Sequence, residues 1–295
     1  MMKKVVKFLE NILNVFLYIS FAVIISVAGY YLGRIFIADQ FVIPSDSMSP
    51  TLQVGDRVWV NKLIAGARIY NDIDSVNSRN LQSWRTRGMR KVARNDVVIF
   101  NFPINDNKIG FKINYVYAKR CIALPGDSIS IVDGYYKNNK YDKDLGYMEA
   151  QHHLNSIPNN QLPDGIKYTM PHAYSKYPWQ IRRFGPLYVP RKGDVIHLNA
   201  DNVLFYSMVL EFETGKKISV SPEGIVLADD IPMDYHIFTH NYYFTCGDNV
   251  MNSRDSRYWG FVPEEYIVGV VNFIPYSINK YTGEFRWDRM CKKVS

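Results

Sequence analysis

The feature that most constrains this chain is a run of 22 residues without a charge, ILNVFLYISFAVIISVAGYYLG, from Ile12 to Gly33. As a helix rising about 1.5 Å per residue it spans roughly 33 Å, enough to cross a bilayer core. Asn14, Ser20 and Ser26 are its only strongly polar interruptions, and a helix can carry them. Lys3, Lys4 and Lys7 precede the run. The cytoplasmic bias of positive charge therefore predicts a cytoplasmic amino terminus and export of everything after Arg34. Tyr30 and Tyr31 suit the far interface. A cleaved secretory signal is the alternative, because Ser26-Val27-Ala28 fits a small-x-small cleavage pattern. Against it, the apolar run is too long for the core of such a signal and resumes at Ile35, Phe36 and Ile37. The expected organisation is a short cytoplasmic segment, 1–11, a transmembrane anchor, 12–37, and an extracytoplasmic domain, 38–295.

The 295 residues are 47% hydrophobic and 21% charged, enough for a large core. The net charge of +7 suits a nucleic acid or an anionic lipid surface and does not separate them. One basic cluster, RTRGMRKVAR from Arg85 to Arg94, reads as a solvated loop rather than a phosphate-binding patch. Cys121, Cys246 and Cys291 are too few for a disulfide framework, and no pair has metal-ligand spacing. His152 and His153 are adjacent, but there is no HExxH, so a metalloprotease finds no support. No cofactor, metal or nucleic acid is expected.

Beyond Asp39 the chain reads as β-rich. Asp56–Lys62, Asp96–Phe102, Asn114–Ile122, Ser128–Asp133, Asp194–Leu198 and Val268–Ile274 are short, rich in Val, Ile, Tyr and Phe, and bounded by turn residues. No long stretch outside the anchor shows apolar spacing of 3.6, so no long helix is expected there. Tyr135–Tyr188 reads as loop within an insertion of about 131–240. The predicted fold is mainly β, a barrel-like catalytic domain with an inserted subdomain behind one transmembrane helix.

Three segments are candidates for chemistry. FVIPSDSMSPTLQVGD, residues 41–56, places Ser45 and Ser47 on a proline-stiffened loop. YAKRCIALPGD, residues 117–127, sets Lys119 in an otherwise apolar strand. GDNVMNSRDSRYWGFVP, residues 247–263, is a polar loop dense in Asn, Asp, Ser and Arg. Each alone has an ordinary explanation: turn chemistry, a lysine on a wet strand face, a hairpin connection. A lysine serving as a base near neutrality must be desolvated or crowded by positive charge. Alternation puts Tyr117, Lys119 and Cys121 on one face, with Val116, Ala118, Ile122 and Leu124 as apolar surroundings. Arg120 is the neighbouring cation, pointing away.

Together, and in this order behind an anchor, the three segments resemble the boxes of bacterial type I signal peptidases. DVVIFNFP (96–103) and EFRWDRM near the carboxyl terminus also look like family segments. The resemblance implies a serine endopeptidase of the bacterial cytoplasmic membrane that removes signal peptides from exported preproteins after Ala-x-Ala. Its partners would be signal peptides and the phospholipid bilayer. It implies Ser47 as nucleophile and Lys119 as general base. Ser45 and the Ser47 amide would form the oxyanion hole, Ser253 would hydrogen-bond the lysine, and a buried Asp255 would pair with Arg257, with Arg120 in support. Phe41, Ile43, Pro44, Met48, Leu52, Tyr117 and Ala118 would line the substrate pockets. Two departures stand out. Val250 and Met251 replace a usual Arg-Asp, which puts loop rigidity in question, and Asp46 stands where Gly is frequent, with solvent as its expected neighbour. Self-cleaving repressors share related chemistry but carry a DNA-binding domain where this chain has its apolar run. A catalytically dead relative is opposed by intact Ser47, Lys119 and Ser253, and no Gly-x-Ser-x-Gly occurs.

Overall fold

A computed structural model describes residues 2–71, 83–170 and 179–294. The apolar run lies inside one helix, Met2–Phe36, whose side chains are exposed almost throughout. Val5–Phe36 within it, buried against nothing among the described residues, is long and apolar enough to cross a membrane. Within it Ser26 Oγ donates to the Ala22 carbonyl at 2.8 Å, which removes a polar group from apolar surroundings. The helix leads almost directly into the strand Ala38–Val42. Its end is fixed to the domain by Arg34–Asp39 at 2.8 Å and by Lys62 Nζ donating to the Arg34 carbonyl at 2.7 Å.

The largest sheet is antiparallel and curled into a half-barrel, in the order Ala38–Val42, Asp56–Asn61, Ile267–Ser277, Val97–Asn101, Val116–Ala123, Tyr242–Cys246, Val262–Pro263. Register shifts along Ile267–Ser277 and Tyr242–Cys246 mark irregularities that bend a sheet. Val97–Asn101 is buried on both faces, so its alternate residues feed two cores. Val97 and Ile99 join Ile43, Met48, Leu52 and Val58, while Val98 and Phe100 join Ile122, Phe244 and Tyr266. At the carboxyl end Arg289 reaches the buried Asp56 at 2.9 and 2.5 Å and pins the segment that leads into the sheet. The six strands expected from the sequence are all present within a few residues. Trp59 is 43% exposed and stacks on Phe273 on the outer surface.

The stretch between the Pro-Gly-Asp turn and Tyr242 is more ordered than its composition suggests. Ser128–Val132 pairs with Tyr135–Asn138 and Arg183–Tyr188. Asp133 and Gly134, both at positive φ, form the two-residue turn that the first of these hairpins requires. Tyr135–Tyr188 also contains the helix Met148–Ser156, so it is not simply loop; its residues 171–178 lie outside the described residues. A twelve-residue helix, Val203–Thr214, contradicts the expectation of no long helix beyond the anchor. Its sequence VLFYSMVLEFET is apolar on nearly every side, which hides the 3.6 period, and Gly215 at φ 69° closes it. The basic cluster is not uniformly solvated either. Arg85 donates to the carbonyls of Gly66 and Ile267, and Arg94 pairs with buried Asp127 at 2.6 Å.

Candidate active site

Ser47 sits at the tip of a loop anchored at its neck and by its apolar side chains. Ile43 N donates to Asp56 O and Gly55 N to Ile43 O, each at 2.9 Å. Met48 and Leu52 plug into the core, and Leu52 N closes a turn on Met48 O. A serine next to a buried methionine has little freedom to turn. The Ser47 N–H makes no hydrogen bond among the described residues, and Ser45 Oγ stands 3.4 Å from Ser47 Oγ.

Lys119 comes from Val116–Ala123, opposite Val98, and is only 3% exposed. Its Nζ donates to Ser47 Oγ at 2.5 Å. Burial brings its pKa down to about 8, with Asp255 opposing that shift and Arg257 adding to it. Arg257, not Arg120, is thus the cation that acts on the amine. Arg120 is engaged elsewhere: Nε and Nη2 grip Asp248 at 2.8 and 2.6 Å, and Thr51 Oγ1 donates to the same carboxylate at 2.5 Å. Asp248 therefore ties the serine loop, the lysine strand and the polar loop together.

The polar loop is built around a fully buried pair. Arg257 Nε and Nη2 donate to Asp255 at 2.8 and 2.7 Å, and Gly247 N donates to Asp255 Oδ2 at 2.9 Å. Burial alone would raise the Asp255 pKa, but Arg257, joined by Lys119 and the Gly247 N–H, holds the carboxyl below its usual range. Gly247 admits no side chain. A Cβ there would lie 2.2 Å from Ser253 Oγ and 2.4 Å from Ser47 O. The Ser253 hydroxyl is buried and makes no hydrogen bond among the described residues, so the expected bond to Lys119 is not formed. Lys119 Nζ has turned its donor to Ser47 instead.

Both departures acquire neighbours. Asp46 is exposed to solvent, as expected, and in addition its carboxylate accepts from Asn252 Nδ2 at 3.0 Å and its carbonyl from Asn249 Nδ2 at 3.3 Å. Val250 is buried against Leu154, Leu162 and Ile181, with Met251 packed beside it, so apolar contact with the insertion braces the loop where the family has a charged pair. The Val250 carbonyl also accepts from Arg257 at 2.9 Å.

A cleft of about 340 Å³ opens beside Ser47 and Lys119, walled by Phe41, Ile43, Pro44, Ser45, Met48, Tyr117 and Ala118. Leu52 is not part of this wall; it faces the core behind it, a loop side chain whose direction composition could not reveal. Val42, Ile99, Tyr115, Val116 and Arg254 line the cleft and were missed. Tyr115 and Val116 flank the lysine box and Arg254 lies inside the polar loop, so adjacency was the available signal.

A family model described as "Signal peptidase, peptidase S26" matches residues 12–276. Signal peptidase I of Buchnera aphidicola subsp. Acyrthosiphon pisum is 30% identical over 264 residues, 86% of this chain and 73% of that one. The Aquifex aeolicus enzyme of the same name is 30% identical over 255 residues, 83% and 78% of the two chains. That of Helicobacter pylori J99 is 28% identical over 278 residues, 88% and 86%. A solved signal peptidase I from Enterococcus faecalis V583 aligns with 61% of this chain and 96% of its own at 22% identity and a TM-score of 0.30, too slight a likeness to add to the sequence match.

Proposed function

The chain belongs to the signal peptidase family, peptidase S26, and is a membrane-anchored serine endopeptidase that processes signal peptides; on that premise we propose that Ser47 is its nucleophile and Lys119 its general base. The observation that carries the assignment is the 2.5 Å contact from a buried lysine to a loop serine. An amine with a pKa near 8 is neutral often enough at physiological pH to accept a proton.

In this reading the substrate lies extended in the cleft. Tyr242–Cys246 pairs with the lysine strand only from Arg120 onward, so the far edge of Val116–Ala118 is open to an added strand. Ser47 Oγ attacks the scissile carbonyl while its proton passes to Lys119 Nζ. The tetrahedral oxyanion is held by the Ser47 N–H and Ser45 Oγ, whose worth is about 2.7–4 kcal/mol per donor in comparable sites. Collapse breaks the peptide bond, and the leaving amine takes the proton back from Lys119. Lys119 then takes a proton from water as the water oxygen attacks the acyl ester, and returns it to Ser47 Oγ as the ester bond breaks and the acid product leaves. The buried, unpaired Ser253 hydroxyl is an acceptor for the ammonium while it holds the proton. Asp255–Arg257, Asp248–Arg120 and Thr51 position the loops that carry these groups. The shallow apolar walls of Ile43, Met48, Ile99 and Ala118 suit small side chains and hence Ala-x-Ala sites. Lys3, Lys4 and Lys7 before the uncharged run favour a cytoplasmic amino terminus and a domain on the outer side of the bacterial membrane.

The test is incubation of the detergent-solubilised protein with a preprotein bearing an Ala-x-Ala site, wild type beside Ser47→Ala. Cleavage at that site by the wild type alone is expected. Equal cleavage by the folded variant would dispose of the assignment.

A further inference from the structure

At the foot of the anchor helix lies a second, polar cavity of about 370 Å³, lined by Arg34, Asp39, Lys62, Arg68, Asn101 and Asn114 among others. Its charges do not balance: three cations face one carboxylate. Asp39 is shared by Arg34 at 2.8 Å and Lys62 at 3.4 Å. Arg68 has no carboxylate partner among the described residues. Its guanidinium donates to the Glu265 carbonyl at 2.8 Å and to Tyr70 Oη and Asn101 Oδ1 at 2.7 Å, all neutral acceptors. A guanidinium withdrawn from water without a countercharge is costly, and an anion in the cavity would relieve that cost.

Position identifies the anion. Arg34 follows the uncharged run directly and sits over the Tyr30 ring, the pattern of a side chain at the membrane–water interface. Lys62 Nζ caps the Arg34 carbonyl and so holds the cavity against the end of the apolar helix; where such a helix spans a bilayer, that end lies at the level of the lipid headgroups. Taking the helix as the membrane anchor, we propose that this cavity binds the phosphate of an anionic phospholipid headgroup through Arg34, Lys62 and Arg68. Phe41 and Val116 line both this cavity and the catalytic cleft, so the bound headgroup rests against the walls of the cleft. Occupancy should therefore lower the KM for a preprotein.

The experiment uses the full chain, delipidated in detergent, with phosphatidylglycerol or phosphatidylcholine added and retention read by native mass spectrometry. Phosphatidylglycerol should be retained in preference to phosphatidylcholine. Lys62→Gln and Arg34→Gln should each weaken its retention roughly fivefold, about what one interfacial cation contributes. Arg68→Gln is less suitable, because its bonds to Asn101 and Glu265 also support the fold. Retention does not depend on turnover, so the result is independent of the roles of Ser47 and Lys119. Equal retention of the two lipids, or retention unchanged in both variants with native melting temperatures, overturns the proposal. Displacement of the lipid by millimolar inorganic phosphate would make this a site for a soluble anion and equally overturn it.

Discussion

The Lys119 amine reaches Ser47 from a strand fixed on one side by Val97–Asn101, and its burial carries a thermodynamic consequence. Below about pH 8 both the folded and unfolded chains hold the lysine proton, and folding must desolvate a charge. Between about 8 and the ordinary value of 10.5 only the unfolded chain keeps it, so stability rises with pH across that window. Lys119→Met removes the penalty. It should raise the Tm at neutral pH and flatten the rise between pH 8 and 10.5, as calorimetry would record. The same group sets activity under the proposed mechanism: kcat/KM should climb with pH through an inflection near 8. A profile that rises only near pH 10 would mean a solvated lysine, and a step near 6.5 that survives Lys119→Ala would mean a histidine base. Ser47→Ala and Lys119→Ala should each lower kcat by on the order of 10⁴-fold or more, and the double variant should be little worse than either, because the two act as a unit.

At the scale of elements, the polar loop is held from two directions. Inside, Gly247 lets Ser253 and the Ser47 carbonyl converge, so Gly247→Ala must push one of them away. A displacement of about 1 Å can cost roughly 10²-fold, and kcat should fall by that order with secondary structure unchanged by circular dichroism. Outside, Val250 docks on Leu154, Leu162 and Ile181. Leu154→Ala should cost about 2–5 kcal/mol of stability in urea unfolding. This bracing was not legible in the sequence, since Leu154, Leu162 and Ile181 lie between 69 and 96 residues before Val250, in a stretch that reads as loop. The serine, lysine and polar boxes were legible because their chemistry is written in neighbouring residues. Leu52 was misassigned for the opposite reason: in a loop no alternation says which side chain turns inward. The helix Val203–Thr214 was hidden because its apolar residues surround it, with Gly215 the one local clue.

For the whole molecule, the cysteines offer a direct readout of which side of the membrane carries the domain. Cys121 and Cys246 are buried, and Cys291 is exposed near the carboxyl terminus; all three are free thiols. Burial pushes the Cys121 and Cys246 pKa values well up, so both stay protonated and unreactive near neutrality. A folded chain therefore presents one reactive thiol, on the catalytic domain and far from Ser47 in sequence. Lys3, Lys4 and Lys7 before the uncharged run favour retention of the amino terminus in the cytoplasm. Arg34 after the run is the one charge that argues the other way, and its pairing with Asp39 offsets it. A membrane-impermeant maleimide should thus label right-side-out vesicles at a single site, and Cys291→Ser should abolish the labelling while leaving cleavage intact. Inside-out vesicles should label only after detergent is added. Labelling of intact inside-out vesicles, with right-side-out vesicles silent, would put the domain in the cytoplasm, where exported preproteins could not meet it after translocation.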